Sequence, residues 1–263
     1  MFWGNKEKHA RIEWMKKILQ QIVSNYFVSS GDASYDWAGR TIAAVNPKRL
    51  LDVGCGNGSR LFNYLKQAPG EFHGVEGNPI EAARAREKKI QVTSFDLNGR
   101  WSYQDNFFDG IHSSQVIEHV HNTRLFLSET HRVLAPGGVM VMTSENLCSL
   151  LNLSAMFLGY TPFSLLAVGG WYLGNPLGLH YGKDVHAETP DVPMDDPAYS
   201  GIMGHNRVLS VLQARDLLQR VGFTNIEVCS IGLMPLPRWI GRPLEKLMPR
   251  RGHWLLIRAE KSR

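Results

Sequence analysis

The feature that most constrains this chain is an apolar segment that runs directly into three glycines at alternate positions. Residues 50–58 read Leu-Leu-Asp-Val-Gly-Cys-Gly-Asn-Gly, a G-x-G-x-G spacing. Glycine has no Cβ and tolerates positive φ, so such a turn lets the backbone pass close to a ligand. A helix that follows it presents free N–H groups at its start. A dinucleotide-binding fingerprint, G-x-G-x-x-G, would need a glycine where this chain has Ser59.

Further strand-like segments follow the glycine turn, with helical segments between them. The first two end in acids, Glu76 and Asp96, and Pro79 lies in the first turn of a predicted helix. After the fifth strand comes a long insertion, and then an amphipathic helix and two more strands. The predicted strands cover residues 71–76, 90–97, 107–114, 139–143, 226–231 and 254–259, and the predicted helices cover 79–89, 125–134 and 209–221.

These motifs, in this order and spacing, resemble those of class I S-adenosylmethionine (SAM)-dependent methyltransferases of types 11 and 12. The resemblance covers about residues 48–145 and 205–260, and the run 132–138 is similar to the family's signature turn before strand five. It implies an α/β, Rossmann-like fold with a seven-stranded, mostly parallel sheet in the order 3-2-1-4-5-7-6. Helices would cover both faces, a cap would follow strand five, and SAM would be the cofactor.

The resemblance also implies where SAM binds. The acid Asp52 and the glycine turn would hold the methionine part, and Glu76 would accept hydrogen bonds from both ribose hydroxyls. Asp96 would lie against the adenine amino group. Tyr35 or Trp37 would cover the cofactor, or both would pack in the core. The cofactor-binding residues implied in this way are Asp52, Gly54, Cys55, Gly56, Gly58, Glu76, Gly77, Asn78, Asp96, Leu97, Ser113, Ser114, Gln115 and Tyr35.

Two segments outside the motifs are expected to complete a single domain of residues 1–263. Amphipathic spacing predicts one helix over 5–28 and a second over about 34–45, so residues 1–45 form an N-terminal helical lid that covers the cofactor or packs on the domain. Residues 146–205 form the cap insertion, whose apolar first half is interrupted before the ~20 residues that a membrane span needs. That half packs on the domain, lines an apolar substrate pocket or rests on a membrane surface. Residues 183–200 have loop composition.

The candidate catalytic residues are His119, His205 and Glu118. Histidine titrates near neutral pH, so either histidine is a candidate general base for an oxygen nucleophile, although a Glu-His pair after strand four also serves simply to brace the loop. Residues 115–119 are similar to the metal-binding Glu-x-x-Glu-His of ubiquinone-type O-methyltransferases and plant small-RNA 2′-O-methyltransferases. Gln115 replaces the first glutamate here. Because the change removes an anionic ligand, we predict no metal.

The expected function is methyl transfer, through oxygen, to a small or medium-sized and partly apolar acceptor. Residues 145–147, 158–163, 174–178 and 204–207 are similar to a subgroup associated with glycan and cell-surface biosynthesis, which points to a glycan- or lipid-linked acceptor. One alternative, an RNA 2′-O-methyltransferase or other nucleic-acid enzyme, is disfavoured because the base-reading Asn-Pro-Pro-aromatic motif is missing after strand four. A non-catalytic SAM-binding partner subunit is disfavoured by the intact glycine turn.

Composition constrains the location and partners more weakly. The three cysteines are scattered without a C-x-x-C, and no signal peptide opens the chain, so we expect a cytoplasmic, reducing compartment. A basic segment at residues 238–251 is either a solvated surface or a docking site for an anionic partner such as a lipid headgroup, a phosphorylated acceptor or a nucleic acid. Contact with the membrane periphery is therefore one interpretation, and the sequence does not indicate an oligomeric state.

Overall fold

The computed structural model describes residues 3–65, 70–165, 167–168, 171–172 and 205–263. The predicted loop at 183–200 lies outside them. The helices are α1 (Trp3–Val45), α2 (Ser59–Phe62), α3 (Pro79–Glu87), α4 (Thr123–Val133), α5 (Leu150–Phe157), α6 (Val211–Val221) and α7 (Arg238–Leu244), with a 3-10 turn at Phe163–Leu165. The strands are β1 (Arg49–Val53), β2 (Glu71–Val75), β3 (Gln91–Thr93), β4 (Phe108–Ser114), β5 (Leu134–Glu145), β6 (Ala167–Val168), β7 (Trp171–Tyr172), β8 (Phe223–Ile231) and β9 (Trp254–Lys261).

Seven of these strands form one sheet in the order β3-β2-β1-β4-β5-β9-β8. Strands β1 to β5 are parallel, and β9 lies antiparallel between β5 and β8. Because β6 and β7 form a separate hairpin, this order is the predicted 3-2-1-4-5-7-6. The central strands β1 and β4 are largely buried, as expected for a parallel sheet covered by helices on both faces.

Two apolar clusters lie on opposite faces of the sheet. One contains residues of α4 and α6, among them Phe126 and Leu218, and the other contains residues of α1 and α3, among them Ile42 and Ala85. The carboxyl ends of β1, β2, β4 and β5 therefore open at one edge between these layers. In α/β sheets, ligands bind at this edge.

The prediction of two N-terminal helices is wrong, because a single helix, α1, spans the expected break. Ser29, Ser30 and Ser34 each donate a side-chain hydrogen bond to the carbonyl three residues earlier. Gly31 also lets the indole of Trp254 approach, since a Cβ there would lie 3.2 Å from Trp254 Cζ2. Packing on the sheet thus overrides a locally weak helix sequence.

Two further differences concern the third strand and the start of the insertion. Strand β3 ends at Thr93, so Asp96 lies beyond the strand and not at its end. The insertion begins with α5, whose Asn152 is fully buried and donates its side-chain hydrogen bonds to the carbonyl of Asn146 and to Ser164 Oγ. This bridge fixes the 3-10 turn at Phe163–Leu165 beside the end of β5. No helix in the described ranges is both long and apolar enough to cross a membrane.

Candidate functional site

The glycine turn follows β1 and is held against β2. The backbone N–H groups of Gly54 and Cys55 donate to the carbonyl of Val75 at 2.8 and 3.1 Å. Gly54, Gly56 and Gly58 all have positive φ. A Cβ at Gly54 would lie 2.4 Å from Val116 Cγ2, whereas a Cβ at Gly56 would have no heavy atom within 4 Å. Gly54 therefore packs tightly against Val116, while the space beside Gly56 is open. This arrangement leaves room for a ligand at Gly56.

Glu76, at the end of β2, lies directly across this opening. Its Oε2 accepts a hydrogen bond from Gly56 N at 2.8 Å, and its Oε1 accepts one from Asn78 N at 2.7 Å. Each carboxylate oxygen can accept a further bond. A Cβ at Gly77 would also meet no heavy atom within 4 Å. The predicted ribose acceptor is thus held by two backbone N–H groups, next to two glycines at which a side chain would meet no other atom.

Asp96 and Leu97 lie in the loop after β3. Asp96 is exposed, and its pKa is lowered because the backbone and side-chain N–H groups of Asn98 both donate to Oδ1 at 2.9 Å. Asn98 Oδ1 in turn accepts from the backbone N–H groups of His121 and Asn122, at 2.8 and 3.0 Å. Asn98 therefore joins the predicted adenine loop to the loop after β4. Sequence reasoning missed Asn98, although an Asp-x-Asn turn is a recognisable Asx motif.

Asp52 is buried and forms a contact that the sequence analysis did not predict. His112 Nδ1, on the neighbouring strand β4, donates to Asp52 Oδ1 at 2.7 Å, and His112 Nε2 lies 3.0 Å from Ser114 Oγ. The signal for this pair is the strand register, which places Asp52 opposite His112. Asp52 thus orients the polar end of β4, and a direct contact with the methionine part of SAM stays a prediction.

The end of β4 carries the remaining predicted cofactor residues. Ser113 Oγ is buried and has no hydrogen-bond partner within the described chain. Gln115 adopts φ +57 while its backbone N–H donates to the carbonyl of Thr143 at 2.9 Å. A non-glycine residue with positive φ costs free energy, and such residues cluster at functional sites. Val116, the next residue, then covers Gly54.

Tyr35 and Cys55 contribute to the turn in different ways. The guanidinium of Arg60, just after the glycine turn, lies 4.0 Å from the centre of the Tyr35 ring. Tyr35 is therefore beside the turn, and its contact with the cofactor stays a prediction. The Cys55 side chain instead packs in the core against Gly74, and burial raises the pKa of its thiol. Only the backbone of Cys55 can therefore take part in binding.

The three predicted catalytic residues come together at the ends of β4 and of the insertion. Glu118, His119 and His205 each have a side-chain N or O atom within 4.8 Å of those of the other two. The rings of His119 and His205 have centroids 4.9 Å apart. Asn206 holds the two segments together, because its backbone N–H donates to the carbonyl of Glu118 at 2.7 Å and its side chain donates to the carbonyl of His119 at 2.6 Å.

Glu118 is completely buried. Ser144 Oγ donates to its Oε2 at 2.9 Å, and its Oε1 accepts no hydrogen bond from any described residue. Burial is the main cause that raises the pKa of this carboxyl to about 7, and the nearby charge of Glu145 acts in the same direction. Glu118 therefore changes its charge near neutral pH.

His205 is held in one tautomer. Its Nδ1 lies 2.7 Å from the carbonyl oxygen of Ser164, which can only accept, so Nδ1 carries the proton and Nε2 keeps a lone pair. Burial lowers the pKa of His205. The charges of Glu145 and Glu118 and the hydrogen bond to Ser164 outweigh this effect, and the net pKa is above the ordinary value.

Glu145 is a member of this cluster that sequence reasoning missed. Its Oε2 lies 3.7 Å from His205 Nδ1 and 3.8 Å from Nε2 of the fully buried His253. Glu145 is the last residue of β5, next to β4, and an acid at the carboxyl end of a parallel strand is a signal that could have found it. The cluster of Glu118, His119 and His205 would also suit a divalent cation, so the prediction of no metal stays a prediction.

Comparison with known proteins gives a consistent result. Residues 33–228 match the family described as a methyltransferase domain. Norajmaline N-methyltransferase of Rauvolfia serpentina is 33% identical over 108 residues, which are 37% of this chain and 36% of that protein. The mitochondrial ubiquinone biosynthesis O-methyltransferase of Rattus norvegicus is 30% identical over 154 residues, or 55% of this chain and 43% of that protein. The match thus spans less than half of either relative.

Solved structures share the fold. A SAM-dependent methyltransferase from Mesorhizobium loti superposes with a TM-score of 0.54 at 20% identity, covering 88% of this chain and all of that one. A SAM-dependent methyltransferase from Thermotoga maritima superposes with a TM-score of 0.53 at 16% identity, covering 99% of this chain and all of that one.

Proposed function

This chain belongs to the methyltransferase domain family, and we propose that it transfers the methyl group of SAM to a hydroxyl oxygen of a small or medium-sized, partly apolar acceptor, with His205 as the general base. SAM is the cofactor of this SAM-dependent methyltransferase. The observation that carries the proposal is the hydrogen bond from His205 Nδ1–H to the carbonyl of Ser164. Because this bond holds the proton on Nδ1, Nε2 is left as a proton acceptor.

The residues at the strand ends fit SAM. Bound SAM supplies a methyl group on a positively charged sulfur. Gly56 and Gly77, which lie next to Glu76, leave open space where a side chain would project. The two carboxylate oxygens of Glu76 are already oriented by backbone N–H groups. Their remaining lone pairs suit the paired hydroxyls of a ribose. The Asx turn of Asp96 and Asn98 presents a carboxylate on the exposed side of the same edge, where an amino group would be recognised.

His205 is suited to remove a proton from an acceptor hydroxyl. Its neutral form has the lone pair on Nε2, while Nδ1–H stays bound to Ser164. When Nε2 takes the proton, the charge that forms is stabilised by the carboxylate of Glu145 at 3.7 Å and by that of Glu118 when it is ionised. A general base contributes typically 10²–10⁴-fold to a rate. An oxygen nucleophile gains most from it, because hydroxyls have high pKa values.

The acceptor class is argued from the surroundings of this cluster. Ser164 follows directly on Phe163, which is buried against Leu151 and Ala155 of α5, so the segment beside His205 is apolar. A ring-bearing or lipid-linked alcohol would suit such a site better than a highly charged one. The name of the rat relative gives oxygen as the methylated atom in that protein, and the name of the Rauvolfia relative gives nitrogen. The geometry of His205 favours oxygen here.

The proposal is tested with SAM labelled with carbon-13 in its methyl group. The full chain is incubated with fractionated extracts, and the acceptor is isolated by its label; the carbon-13 chemical shift then identifies the atom that carries the methyl group. We expect a methyl ether from the wild type and no product from Gly56→Arg, whose side chain fills the open cradle. A labelled N-methyl or C-methyl product would contradict the oxygen assignment while leaving the methyltransferase assignment intact.

A metal-assisted transfer is the second candidate, because the ligand atoms of Glu118, His119 and His205 lie within 4.8 Å of one another. In that case a chelator would inactivate the purified enzyme and one divalent ion would restore it. If His205 acts as the base, activity persists in the chelator.

A further inference from the structure

We propose that the surface formed by residues 238–251, together with the tip of α5 at residues 156–160, docks this protein on an anionic lipid bilayer. We call it the docking face. It consists of α7, the turns that follow α7, and the exposed end of α5. The docking does not depend on the proposed reaction, and its test needs no acceptor.

The docking face carries uncompensated positive charge. Its five basic side chains are all exposed: Arg238, Arg242, Lys246, Arg250 and Arg251. The acid in the same stretch, Glu245, faces inward, where its Oε1 accepts hydrogen bonds from Tyr26 Oη and Gly232 N, both at 2.8 Å. Across the described ranges, no carboxylate forms an ion pair with any of the five. A cluster of this kind attracts an anionic surface.

Large apolar side chains are exposed in the basic segment and at the tip of α5. Trp239 is 77% exposed and Leu247 is 78% exposed, both beside basic residues of the same segment. At the tip of α5, Phe157 is 90% exposed and Leu158 is 68% exposed, just before Gly159 ends the helix with φ +81. Tryptophan concentrates at membrane interfaces, and apolar residues that project among basic ones are typical of segments that lie in the headgroup region.

The two parts of the docking face share one support. Leu151 and Ala155 of α5 pack with Val23 and Tyr26 of α1 in one buried cluster. Tyr26 also contacts α7 closely, since a Cβ at Gly241 would lie 2.9 Å from its ring.

The start of α5 is tied to the end of the basic segment, because Leu150 N donates to the carbonyl of Arg251 at 2.8 Å. The exposed Ile22 and Ile18 continue the face of α1 that carries Tyr26, at four-residue spacing. An apolar strip therefore extends from the docking face along α1.

An anionic bilayer fits this surface better than the other occupants. A two-fold contact with a second copy would bring the same five positive charges together on both sides, which is repulsive. A single-stranded nucleic acid would use the charges and stack on Trp239, but the aliphatic Leu247 and Leu158 offer no stacking surface. Headgroup phosphates and the acyl boundary together satisfy both the charges and the apolar side chains.

Docking would also bring the site to the bilayer. Ser164, the partner of His205, lies in the segment that follows the tip of α5 and is bridged to α5 by Asn152. If the proposed function holds, a lipid-linked alcohol in the membrane would reach His205 from this side. Failure of that reaction would leave the docking result unaffected, because the two are measured separately.

The test is flotation of the full chain with phosphatidylcholine vesicles with and without phosphatidylserine. We expect binding only with phosphatidylserine, weakened by salt. A basic residue near such a surface is worth about 5-fold in partitioning, so Arg238→Gln with Arg242→Gln should reduce binding by roughly 25-fold. Trp239→Ser should reduce it by at least about 10-fold, because the indole no longer leaves water.

Matched controls lie on α4 and α6, away from the docking face. Arg124→Gln with Arg220→Gln removes the same charge from exposed positions, and Leu212→Ser removes an exposed apolar side chain. These variants should bind vesicles within about 2-fold of the wild type. All variants should keep the wild-type affinity for SAM in calorimetry, which shows that they are folded.

Three results would overturn the proposal. The first is equal vesicle binding by the α7 variants and their controls. The second is no vesicle binding together with a dimer in sedimentation that Trp239→Ser abolishes, which would make the face a contact between copies. The third is binding to polyuridylate that depends on Arg238 and Arg242, without binding to vesicles.

Discussion

Replacing Glu118 by glutamine should change how the stability of this protein depends on pH. The raised pKa of Glu118, about 7 against an ordinary value of 4.5, means that the folded protein holds a proton that the unfolded chain releases. Wherever the folded state binds more protons, stability falls as pH rises. The loss begins near the unfolded pKa and is complete above the folded pKa. Between about pH 5 and pH 8 it amounts to about 2 to 3 kcal/mol of unfolding free energy for this one group.

Glu118→Gln removes this loss, because the amide stays neutral and can still accept the hydrogen bond from Ser144. Urea unfolding at pH 5 and pH 8 gives the free energy of unfolding that each protein loses between the two pH values. The loss should be about 2 to 3 kcal/mol smaller in the variant than in the wild type. Glu87→Gln, at an exposed position on α3, is the control for the loss of one carboxyl. If Glu118→Gln and the wild type lose the same free energy between the two pH values, then Glu118 is ionised throughout and the reasoning from burial is refuted.

The cofactor edge yields four further predictions. Gly56→Arg should abolish SAM binding in calorimetry, and a folded variant that still binds would move the site elsewhere. Glu76→Ala should weaken SAM binding by roughly 1–3 kcal/mol, because the hydroxyls of the ligand lose their hydrogen-bond acceptor. An unchanged Kd would exclude this ribose contact. Asn98→Ala removes the side-chain hydrogen bond that helps to lower the pKa of Asp96, while the backbone N–H of residue 98 still donates. The pKa of Asp96 should therefore rise in a carbon-13 NMR titration, and an unchanged titration would show that the side chain of Asn98 does not contribute. Asp52→Ala leaves the buried Nδ1 of His112 without an acceptor and should lower the free energy of unfolding by about 1–3 kcal/mol in urea, whereas an unchanged midpoint would make this pair unimportant for stability.

The sheet could be predicted because its signals are local. Strand, glycine turn and helix follow each other within residues 50–62, and the acid at Glu76 closes the next strand, so order along the chain is enough to place them. The turn expected at residues 135–138 is instead part of β5, which begins at Leu134 and shifts its register against β4 between Phe108 and Gly110. The end of β3 was misplaced because residues 94–97 read as a strand, while the Asx turn at Asp96 turns the chain away from the sheet.

The catalytic cluster could be predicted only in part, because it depends on contacts between distant segments. His119 and His205 could be selected because one follows the fourth strand and the other ends the insertion. The roles of Glu145 and His253 depend on the antiparallel pairing of β5 with β9, which no local pattern shows. The continuous α1 has the same origin, since its Gly31 faces Trp254 of that same last strand. Side-chain pairing across the sheet is what the sequence did not reveal.

The central claim is that His205 removes the proton from an acceptor hydroxyl. Its most direct test compares the methyl-transfer rates of His205→Gln, His121→Gln and the wild type across pH, with the acceptor identified by labelling and with SAM affinity measured by calorimetry. We predict that His205→Gln keeps SAM binding, loses roughly 10²–10⁴-fold in rate, and regains rate as pH rises because the acceptor ionises unaided. The exposed His121 variant should match the wild type. A His205→Gln enzyme that transfers methyl groups at the wild-type rate would contradict the account.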